Sequence, residues 1–355
     1  MSNPTLTAAI DELCARRDLS AEQSAAVLEQ IMLGEVSETQ IAAFLIGLRT
    51  KGETIAELAG LARTMRALAT PVRVTRRDLL DTAGTGGGRP SFNVSTTAAL
   101  IAAGAGCAVA KHGNRSATSL SGSADLLEAL GARIDLAPDG VARCIEQTGF
   151  GFMFAPAHHQ ATRYVVPVRR ELAVRTIFNF LGPLTNPAGA RRQLIGVSDP
   201  DMIDTIAGAL ALLGVDRALV VASDDGLDEV SVSGITHVVE VQGEEIRRYT
   251  LQPAQVGLAS SSPDAFSGGD PERNAAVTRA IFDGQPGPAR DLAVINAGAA
   301  IYAAGVAPAL ADGVAAAQAA IDTGAAAAAL ERFVAASHEH APAGSAASVA
   351  PGPAR

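Results

Sequence analysis

The segment from Asp81 to Thr96 joins an apolar strand to a hydroxyl-rich helix start through four glycines, and it reads DTAGTGGGRPSFNVST. Glycines let a backbone approach a phosphate and turn its N–H groups toward it. A helix N-terminus adds partial positive charge, and nearby Ser or Thr hydroxyls can donate to a phosphate or bind a metal ion. A glycine-rich turn alone is equally compatible with an ordinary tight turn. The combination of strand, glycines and helix start favours a phosphate-binding loop.

Two common phosphate-binding motifs do not fit this segment. A dinucleotide-binding fold needs an acidic residue about 20 positions after the glycines. The chain has no Asp or Glu between Arg89 and His112. A P-loop needs Lys followed by Ser or Thr at the end of the loop, and that pair is missing. The segment therefore predicts a phosphate site of another kind.

A second polar segment, Lys111 to Asp125, follows a short predicted strand. Its donors are Lys111, His112, Asn114, Arg115, Ser116, Thr118, Ser119, Ser121 and Ser123. Lys111 and Arg115 place positive charge in a protein whose net charge is −9. Such local charge suits a polyanionic ligand. A polar surface loop without a ligand is the alternative.

An acidic segment follows the predicted strand Ala218–Ser223, with carboxylates at Asp224, Asp225, Asp228 and Glu229. Loops at the carboxyl ends of strands are where α/β proteins gather their ligands. The adjacent carboxylates of Asp228 and Glu229 suit Mg²⁺, which prefers a few protein oxygens together with substrate phosphates. The alternative is a solvated acidic turn.

A fourth segment, Pro167 to Pro187, carries three arginines and then an unusually apolar turn. The arginines are Arg169, Arg170 and Arg175. A bidentate guanidinium suits a carboxylate ligand. Because surface arginines are common, the segment is also compatible with a solvated face.

The elements that position these segments fall into two parts. The first 70 residues predict a helical bundle, with capping boxes at Ser20, Ser37 and Thr54 and C-terminal glycines at Gly34 and Gly52. After Pro71 the pattern changes to apolar strands at 79–83, 108–110, 218–223 and 238–241, and helices at 96–103, 124–130, 291–305 and 310–323. The fold class predicted is α/β, with a small N-terminal helical domain and a larger α/β domain whose mainly parallel central sheet is flanked by helices.

The domain boundaries follow from the same change in pattern. We expect a helical domain at residues 1–72, joined by a segment near 168–190, and an α/β domain at residues 73–336. Residues 259–270 predict a polar surface loop. From Ser337 the chain is rich in Ala, Pro, Ser and Gly, so residues 337–355 predict a disordered tail.

Composition restricts the classes of function. The chain has 355 residues, 48% of them hydrophobic, with only 4% aromatic residues and no Trp, so the core must consist of Ala, Val, Leu and Ile. Its acidic charge argues against general nucleic-acid binding. No signal peptide and no apolar stretch of about 18 residues is visible, so we expect a cytoplasmic protein without a membrane partner. Cys14, Cys107 and Cys144 form no CxxC pair and predict reduced, buried thiols.

Together the four segments resemble the anthranilate phosphoribosyltransferases. The shared signatures are KHGNR, GSADLLEALG, FNFLGPLTNP and DGLDE, and the resemblance extends to about residue 335. It implies an active site in the cleft between a helical and an α/β domain, and a homodimer formed through the helical domain. It also implies transfer of the phosphoribosyl group of phosphoribosyl pyrophosphate (PRPP) to the amine of anthranilate, in tryptophan biosynthesis.

The resemblance also implies site residues at matching positions. For PRPP they are Gly84, Gly87, Gly88, Ser91, Asn93, Val94, Ser95, Thr96, Lys111, Arg115, Ser119 and Ser123. For anthranilate they are Gly84, His112, Asn114, His159, Arg169 and Pro183, with Arg169 binding the carboxylate. Lys111, Asn114 and Arg169 are the expected catalytic residues. The implied cofactor is Mg²⁺, as two ions of which one accompanies the pyrophosphate, with ligands Ser95, Asp228 and Glu229.

The glycine loop departs from the family pattern GTGGD, because Gly88 stands where the aspartate is usual and the loop to Asn93 is one residue shorter. The missing carboxylate is expected to change the affinity for Mg²⁺ or PRPP. Three alternatives stay open: a paralogue acting on another aminobenzoate, a silent relative that binds PRPP or nucleic acid, and a nucleoside phosphorylase of the same fold.

Overall fold

Four helices form the N-terminal part of the protein in a computed structural model that describes residues 2–116 and 119–342. They are α1 (Pro4–Cys14), α2 (Ala21–Leu33), α3 (Glu38–Lys51) and α4 (Ile55–Leu68). Their buried faces form one apolar cluster, to which the residues between Val165 and Leu184 also contribute. The predicted small helical domain is confirmed.

The helix starts follow the sequence signals with one difference. Ser20 and Thr54 form complete capping boxes with the residues three positions later. Ser37 accepts the N–H of Gln40, but the Gln40 side chain bonds to the backbone of Asn3 instead of returning to Ser37. The third box is therefore only half formed, because Gln40 gains a contact that ties the start of α1 to α3.

The larger part of the chain is built on a seven-stranded sheet in the order β3-β2-β1-β4-β5-β6-β7. The strands are β1 (Leu79–Gly84), β2 (Ala108–Gly113), β3 (Phe150–Phe154), β4 (Arg192–Gly196), β5 (Arg217–Ser223), β6 (Thr236–Gln242) and β7 (Glu245–Leu251). The first five in spatial order pair in parallel, and β6 and β7 pair antiparallel. The predicted mainly parallel sheet is confirmed, although β3, β4 and β7 were not predicted.

Helices cover both faces of the sheet. They are α5 (Val94–Gly104), α6 (Ser123–Ala129), α7 (Pro138–Thr148), α8 (Ala155–His158), α9 (Val166–Leu172), α10 (Phe178–Leu181), α11 (Ile203–Leu212), α12 (Pro271–Phe282), α13 (Pro288–Ala303), α14 (Leu310–Asp322) and α15 (Ala325–Glu339). Alternate residues of β5 separate two cores: Leu219 and Val221 face α5, α13 and α15, whereas Ala218 and Val220 face α11 and the N-terminal helices. The helical domain therefore packs on this side of the sheet through α11, which lies between α4 and β5.

The C-terminal part corrects the predicted start of the tail. Helix α15 continues to Glu339, and Ser337 is buried with its Oγ accepting the N–H of Arg133 at 2.9 Å. A disordered tail beginning at Ser337 is therefore wrong for its first residues, while residues 343–355 lie outside the described part. The predicted polar loop 259–270 contains a 3-10 turn, Pro263–Phe266, whose Phe266 is buried and anchors it.

Two further features concern the thiols and the membrane. Cys107 and Cys144 are buried, and burial raises the pKa of their thiols to about 12 and about 11. Cys14 is exposed, so the prediction of three buried thiols is wrong there.

Among the described helices, no single one has the length and apolarity to cross a membrane. Helices α14 and α15, bent by 70° at their junction, pass that test only as a pair.

Candidate active site

The glycine loop, residues 84–89, leaves the carboxyl end of β1 where the strand order reverses. The chain continues from β1 to β2 on one side, while β4 lies on the other side. Crevices outside such a reversal are the usual ligand sites of parallel sheets. Gly86 and Gly87 have φ angles of +66° and +78°, a region that favours glycine. The N–H of Thr85 donates to Gly196 O at 2.9 Å and fastens the loop to the end of β4.

Asp228 closes this loop from the side of β5. Its Oδ2 accepts the N–H of Gly86 at 3.0 Å. A Cβ on Gly84 would lie 2.8 Å from Oδ2, and a Cβ on Gly88 would lie 2.7 Å from Oδ1. A Cβ at either position would therefore force the Asp228 carboxylate to move away from the loop.

The departure at Gly88 has a structural counterpart. A Cβ there would also lie 2.9 Å from Gly226 O and 3.0 Å from the backbone nitrogen of Asp228. An aspartate at position 88 would therefore require the acidic loop to shift. The difference from the family pattern thus concerns the path of two loops as well as one charge.

The Glu229 side chain lies close to the backbone N–H of Ser95, in the first turn of α5. Burial raises the pKa of Glu229 to about 8, Asp228 adds to the rise, and Lys111 opposes it. Burial also raises the pKa of Asp228. The three residues expected to bind metal, Ser95, Asp228 and Glu229, therefore lie close together. The carboxylates of Asp228 and Glu229 lack enough nearby positive charge to offset their burial.

These carboxylates fit one kind of cation. No group of three or more His, Cys, Asp or Glu residues able to hold a metal ion occurs in the described part of the chain. A transition-metal site built only from the protein is therefore not present there. Mg²⁺ fits, because it takes one or two carboxylates and completes its shell with water and substrate phosphates.

The other two carboxylates of the acidic segment serve the loop itself. Asp225 accepts the hydroxyls of Ser231, at 2.6 Å, and Ser233. Asp224 pairs with His237 at 2.7 Å on the surface. Only Asp228 and Glu229 are thus directed at the glycine loop and α5.

Lys111 is buried, and its Nζ donates to the carbonyl and hydroxyl oxygens of Thr82 on β1. Burial lowers the pKa of Lys111, while Asp81 and Glu229 oppose that change. The amino group is therefore bonded to the sheet and does not extend into the cleft. Its charge reaches the site through the local field, whereas sequence reasoning expected a direct phosphate contact.

Asp81 is the fully buried partner of this charge. Its carboxylate accepts the N–H of His112 at 3.0 Å and the side-chain amide of Asn186 at 2.7 Å, and Asn186 also donates to Ala110 O at 2.8 Å. Sequence analysis assigned no role to Asp81 or Asn186. The available signal was their position, because each is a buried polar residue inside one of the singled-out segments.

The start of α5 offers backbone groups more than side chains. Asn93 is the N-cap, but its side chain bonds to Ser121, with its Nδ2 on the carbonyl at 3.0 Å and its Oδ1 accepting the hydroxyl at 2.9 Å. Ser91 donates to the neighbouring backbone and Val94 is buried in the core. Thr96 Oγ1 is buried with no partner in residues 2–116 or 119–342. A phosphate at this helix start would therefore meet mainly N–H groups.

Arg115 does not present a free charge. Its guanidinium donates to Asp125 at 2.6 Å and to both oxygens of Glu128 at 2.6 and 2.9 Å. The hydrogen bonds from Glu128 and Asp125 raise the pKa of Arg115. A contact with PRPP would require these pairs to break, so the expected role of Arg115 does not follow from this geometry.

The remaining predicted residues of this loop lie beside Arg115. Asn114 is exposed, and its Oδ1 accepts the N–H of Arg115 at 2.7 Å. Ser119 Oγ donates to the Ser121 carbonyl at 3.1 Å, and Ser123 is the first residue of α6. The expected contact from Thr118 lies outside the described residues.

Two buried histidines, His112 and His159, form an apolar wall with their ring centroids 5.1 Å apart. His112 Nδ1 lies 3.3 Å from Gly182 O, next to the buried Pro183, and His159 lies close to the backbone of Thr185. The Nε2 atoms of both rings have no partner within the described ranges. Because the Nδ1–H of His112 donates to a carbonyl, its neutral ring leaves Nε2 as an acceptor.

Arg169, on α9, reaches the same segment. Its Nη2 lies 3.4 Å from Asn179 Oδ1, and its guanidinium lies 5.6 Å from the ring centroid of Phe178. Burial lowers the pKa of Arg169, and no described carboxylate forms an ion pair with it. A half-buried arginine without an anionic partner suits an incoming carboxylate.

The buried histidines predict a measurable pH effect on stability. Burial lowers the pKa of His112 from 6.5 to about 3, so between these values the unfolded chain binds a proton that the folded chain excludes. Stability should therefore decrease as the pH falls through this window. A His112→Gln variant lacks this proton-binding group, so its stability should not fall in this way. Below about pH 6, the free energy of unfolding of the variant should therefore rise relative to that of the parent by about 1.4 kcal/mol for each pH unit of acidification. Urea unfolding at several pH values would measure it; a constant difference would contradict it.

Comparison with known proteins bears on the whole chain. Residues 76–327 match the glycosyl transferase family, a/b domain, and residues 7–69 match its helical bundle domain. A curated protein of Laribacter hongkongensis, named anthranilate phosphoribosyltransferase, is 52% identical over 308 residues, which are 86% of this chain and 90% of that protein.

Solved structures show the same similarity in three dimensions. The anthranilate phosphoribosyltransferase of Thermus thermophilus superposes with a TM-score of 0.88 at 46% identity, covering 93% of this chain and 99% of that one. The anthranilate phosphoribosyltransferase of Saccharomyces cerevisiae, in complex with PRPP and Mg, superposes with a TM-score of 0.87 at 26% identity, covering 95% and 99%.

Proposed function

This chain belongs to the anthranilate phosphoribosyltransferase family, and we propose that it transfers the phosphoribosyl group of PRPP to the amine of anthranilate. The products are N-(5-phosphoribosyl)anthranilate and pyrophosphate, in tryptophan biosynthesis. One observation carries the proposal: the glycine loop, the start of α5 and the Asp228–Glu229 pair meet at the reversal of strand order. This arrangement suits a pyrophosphate together with its cation.

At the pyrophosphate end, the protein supplies N–H groups and carboxylates. The loop residues Gly84, Gly87 and Gly88 and the N–H groups of α5 face the departing group, and Lys111 contributes positive potential from within the sheet. Asp228, Glu229 and Ser95 would hold Mg²⁺, for which we propose two ions. When bound, Mg²⁺ neutralises charge that develops on the pyrophosphate.

At the amine end, the protein positions a nucleophile that is already neutral. The C1–O bond to pyrophosphate breaks through an oxocarbenium-like state, the amine nitrogen bonds to C1, and the nitrogen then releases a proton. Arg169 holds the carboxylate, while His112, His159 and Pro183 wall the ring. Positioning supplies most of the rate increase, because an aromatic amine needs no strong base.

The direct test follows the fluorescence of anthranilate with enzyme, PRPP and Mg²⁺, omitting each in turn. Loss of fluorescence that requires all of them would support the reaction and show that Gly88 permits turnover. If anthranilate is not consumed but calorimetry shows that PRPP binds, the enzyme uses a different amine or the protein is catalytically inactive. Substituted aminobenzoates should then be tried as substrates. Phosphorolysis of a nucleoside without PRPP would instead identify a phosphorylase.

Arg169 and Arg170 form a matched pair for testing the amine site. Arg169→Ala should raise KM for anthranilate about tenfold or more with a smaller effect on KM for PRPP, because it removes a charge-assisted hydrogen bond to the carboxylate. Arg170→Ala, which removes an exposed arginine from the same helix, should change neither. Steady-state kinetics with each substrate varied would decide, and an unchanged anthranilate KM in Arg169→Ala would show that Arg169 has another role.

The proposal also covers the assembly and the location of the protein. We propose a cytoplasmic homodimer formed through the helical domain. Exposed apolar side chains at Leu33 and Ile46 support a contact surface there, with 53% and 37% of their area accessible. Light scattering of the purified protein would distinguish a dimer from a monomer.

A further inference from the structure

Arg175 is the arginine of the Pro167–Pro187 segment to which no role has been assigned. It lies between Ala173, which has a φ of +51° and marks a sharp turn, and Ile177, which is buried in the core of the helical domain. Its guanidinium lies 5.8 Å from the ring centroid of Phe180, another member of that core. Arg175 is therefore anchored on the helical-domain side of the cleft.

The guanidinium crosses to the glycine loop. Its Nη2 donates to Gly86 O at 2.9 Å and to Ser198 Oγ at 2.8 Å. Ser198 Oγ in turn donates to the same Gly86 O at 2.8 Å, and its backbone N–H donates to Thr85 Oγ1 at 3.1 Å. One carbonyl oxygen thus has two donors, one from each domain.

The two ends of Gly86 are held from opposite sides. Asp228 accepts its N–H, while Arg175 and Ser198 bond to its carbonyl. A trans peptide places the N–H of Gly87 opposite the carbonyl of Gly86. In the described ranges this N–H has no acceptor, so it remains available to a ligand. Gly86 and Gly87 are exposed and have positive φ angles, so the peptide between them can rotate if it is not held.

We propose that Arg175 is a positioning residue that holds the Gly86–Gly87 peptide with its carbonyl toward the helical domain, so that the N–H of Gly87 is directed to a phosphate oxygen of PRPP. If this peptide rotated, the carbonyl oxygen of Gly86 would point to the phosphate. The partial negative charge of that oxygen would repel the phosphate oxygens. Arg175 also makes the loop's geometry depend on the packing of the two domains. The inference rests on the proposed PRPP site.

Three variants separate this role from a general effect on folding. Arg175→Met removes the guanidinium and its hydrogen bonds to Gly86 O and Ser198 Oγ, Arg175→Lys restores one positive donor, and Ser198→Ala removes the second donor to Gly86 O. Arg175→Met should raise the Kd and KM for PRPP about tenfold or more, with KM for anthranilate nearly unchanged. Arg175→Lys should recover part of the loss, and Ser198→Ala should cost less than Arg175→Met. Arg170→Met is the matched control, with no expected change.

A spectroscopic measurement addresses the peptide itself. In protein labelled with ¹⁵N-glycine, PRPP should shift the Gly87 amide resonance strongly in the parent and weakly in Arg175→Met, with the other loop glycines responding in both. A folded Arg175→Met that binds PRPP with the parent's affinity would overturn the inference, as would a rise confined to the anthranilate KM. If the parent itself neither binds PRPP nor turns over, the proposed function fails first, and the two failures are thereby distinguished.

Discussion

Asparagine in place of Asp228 is expected to lower kcat/KM for PRPP by about 100-fold or more. The substitution keeps an oxygen that accepts the Gly86 N–H, so the glycine loop should keep its path. It removes the negative charge that, together with Glu229, would hold Mg²⁺ beside the departing pyrophosphate in the proposed site. Groups that stabilise developing charge are typically worth two to three orders of magnitude in rate.

Asp224→Asn is the control for this experiment. It makes the same change of charge in the same loop, but its carboxylate is half exposed and pairs with His237 on the surface. Surface ion pairs of this kind contribute little to the free energy of folding, so the activity of Asp224→Asn should stay within about twofold of that of the parent. The Mg²⁺ concentration that gives half of the maximal rate should rise only in Asp228→Asn. Equal losses in both variants would mean that net loop charge matters and that Asp228 has no special role.

Methionine in place of Lys111 is expected to cost both stability and activity. The substitution leaves the buried carboxylate of Asp81 without its nearest cation and leaves Thr82 O without that donor. Removing one partner of a buried charge pair typically destabilises by about 3 kcal/mol or more. Because Lys111 also supplies positive potential near Glu229, kcat/KM should fall about 100-fold.

The chain offers an unusually close control, because it contains only one other lysine. Lys51 has a largely buried side chain that pairs with Asp18 at 2.8 Å and Glu57 at 3.0 Å in the helical domain. Lys51→Met should therefore lower the denaturant midpoint without lowering kcat/KM at temperatures where the protein is folded. If Lys111→Met keeps its activity below its melting temperature, Lys111 serves the fold alone.

Local patterns were sufficient for much of this protein. Caps such as Ser20 and Thr54 act within one helical turn, so their positions follow from spacing along the chain. The glycine loop and the Asp228–Glu229 pair were also predictable, since each directly follows an apolar strand and parallel strands carry their ligands at the carboxyl ends. Ser37 marks the limit: the cap formed, but its partner Gln40 bonded to a residue 37 positions away.

The direction of each long side chain could not be predicted in this way. Lys111 and Arg115 looked alike as phosphate ligands, yet Lys111 turns into the sheet toward Thr82 and Arg115 turns to two carboxylates on α6. Likewise, the sequence did not predict that Asp81 meets Asn186, 105 residues away.

By itself, therefore, the sequence determined the helical domain, four of the seven strands, the glycine loop and the types of residue that surround it. Only the tertiary structure decided which partner each charged side chain meets, as when Arg175 crosses to the carbonyl of Gly86, 89 residues away. The physical reason is that helix and strand signals depend on neighbours a few residues apart. Partners of buried charges are instead selected by desolvation, which acts only after distant segments have packed.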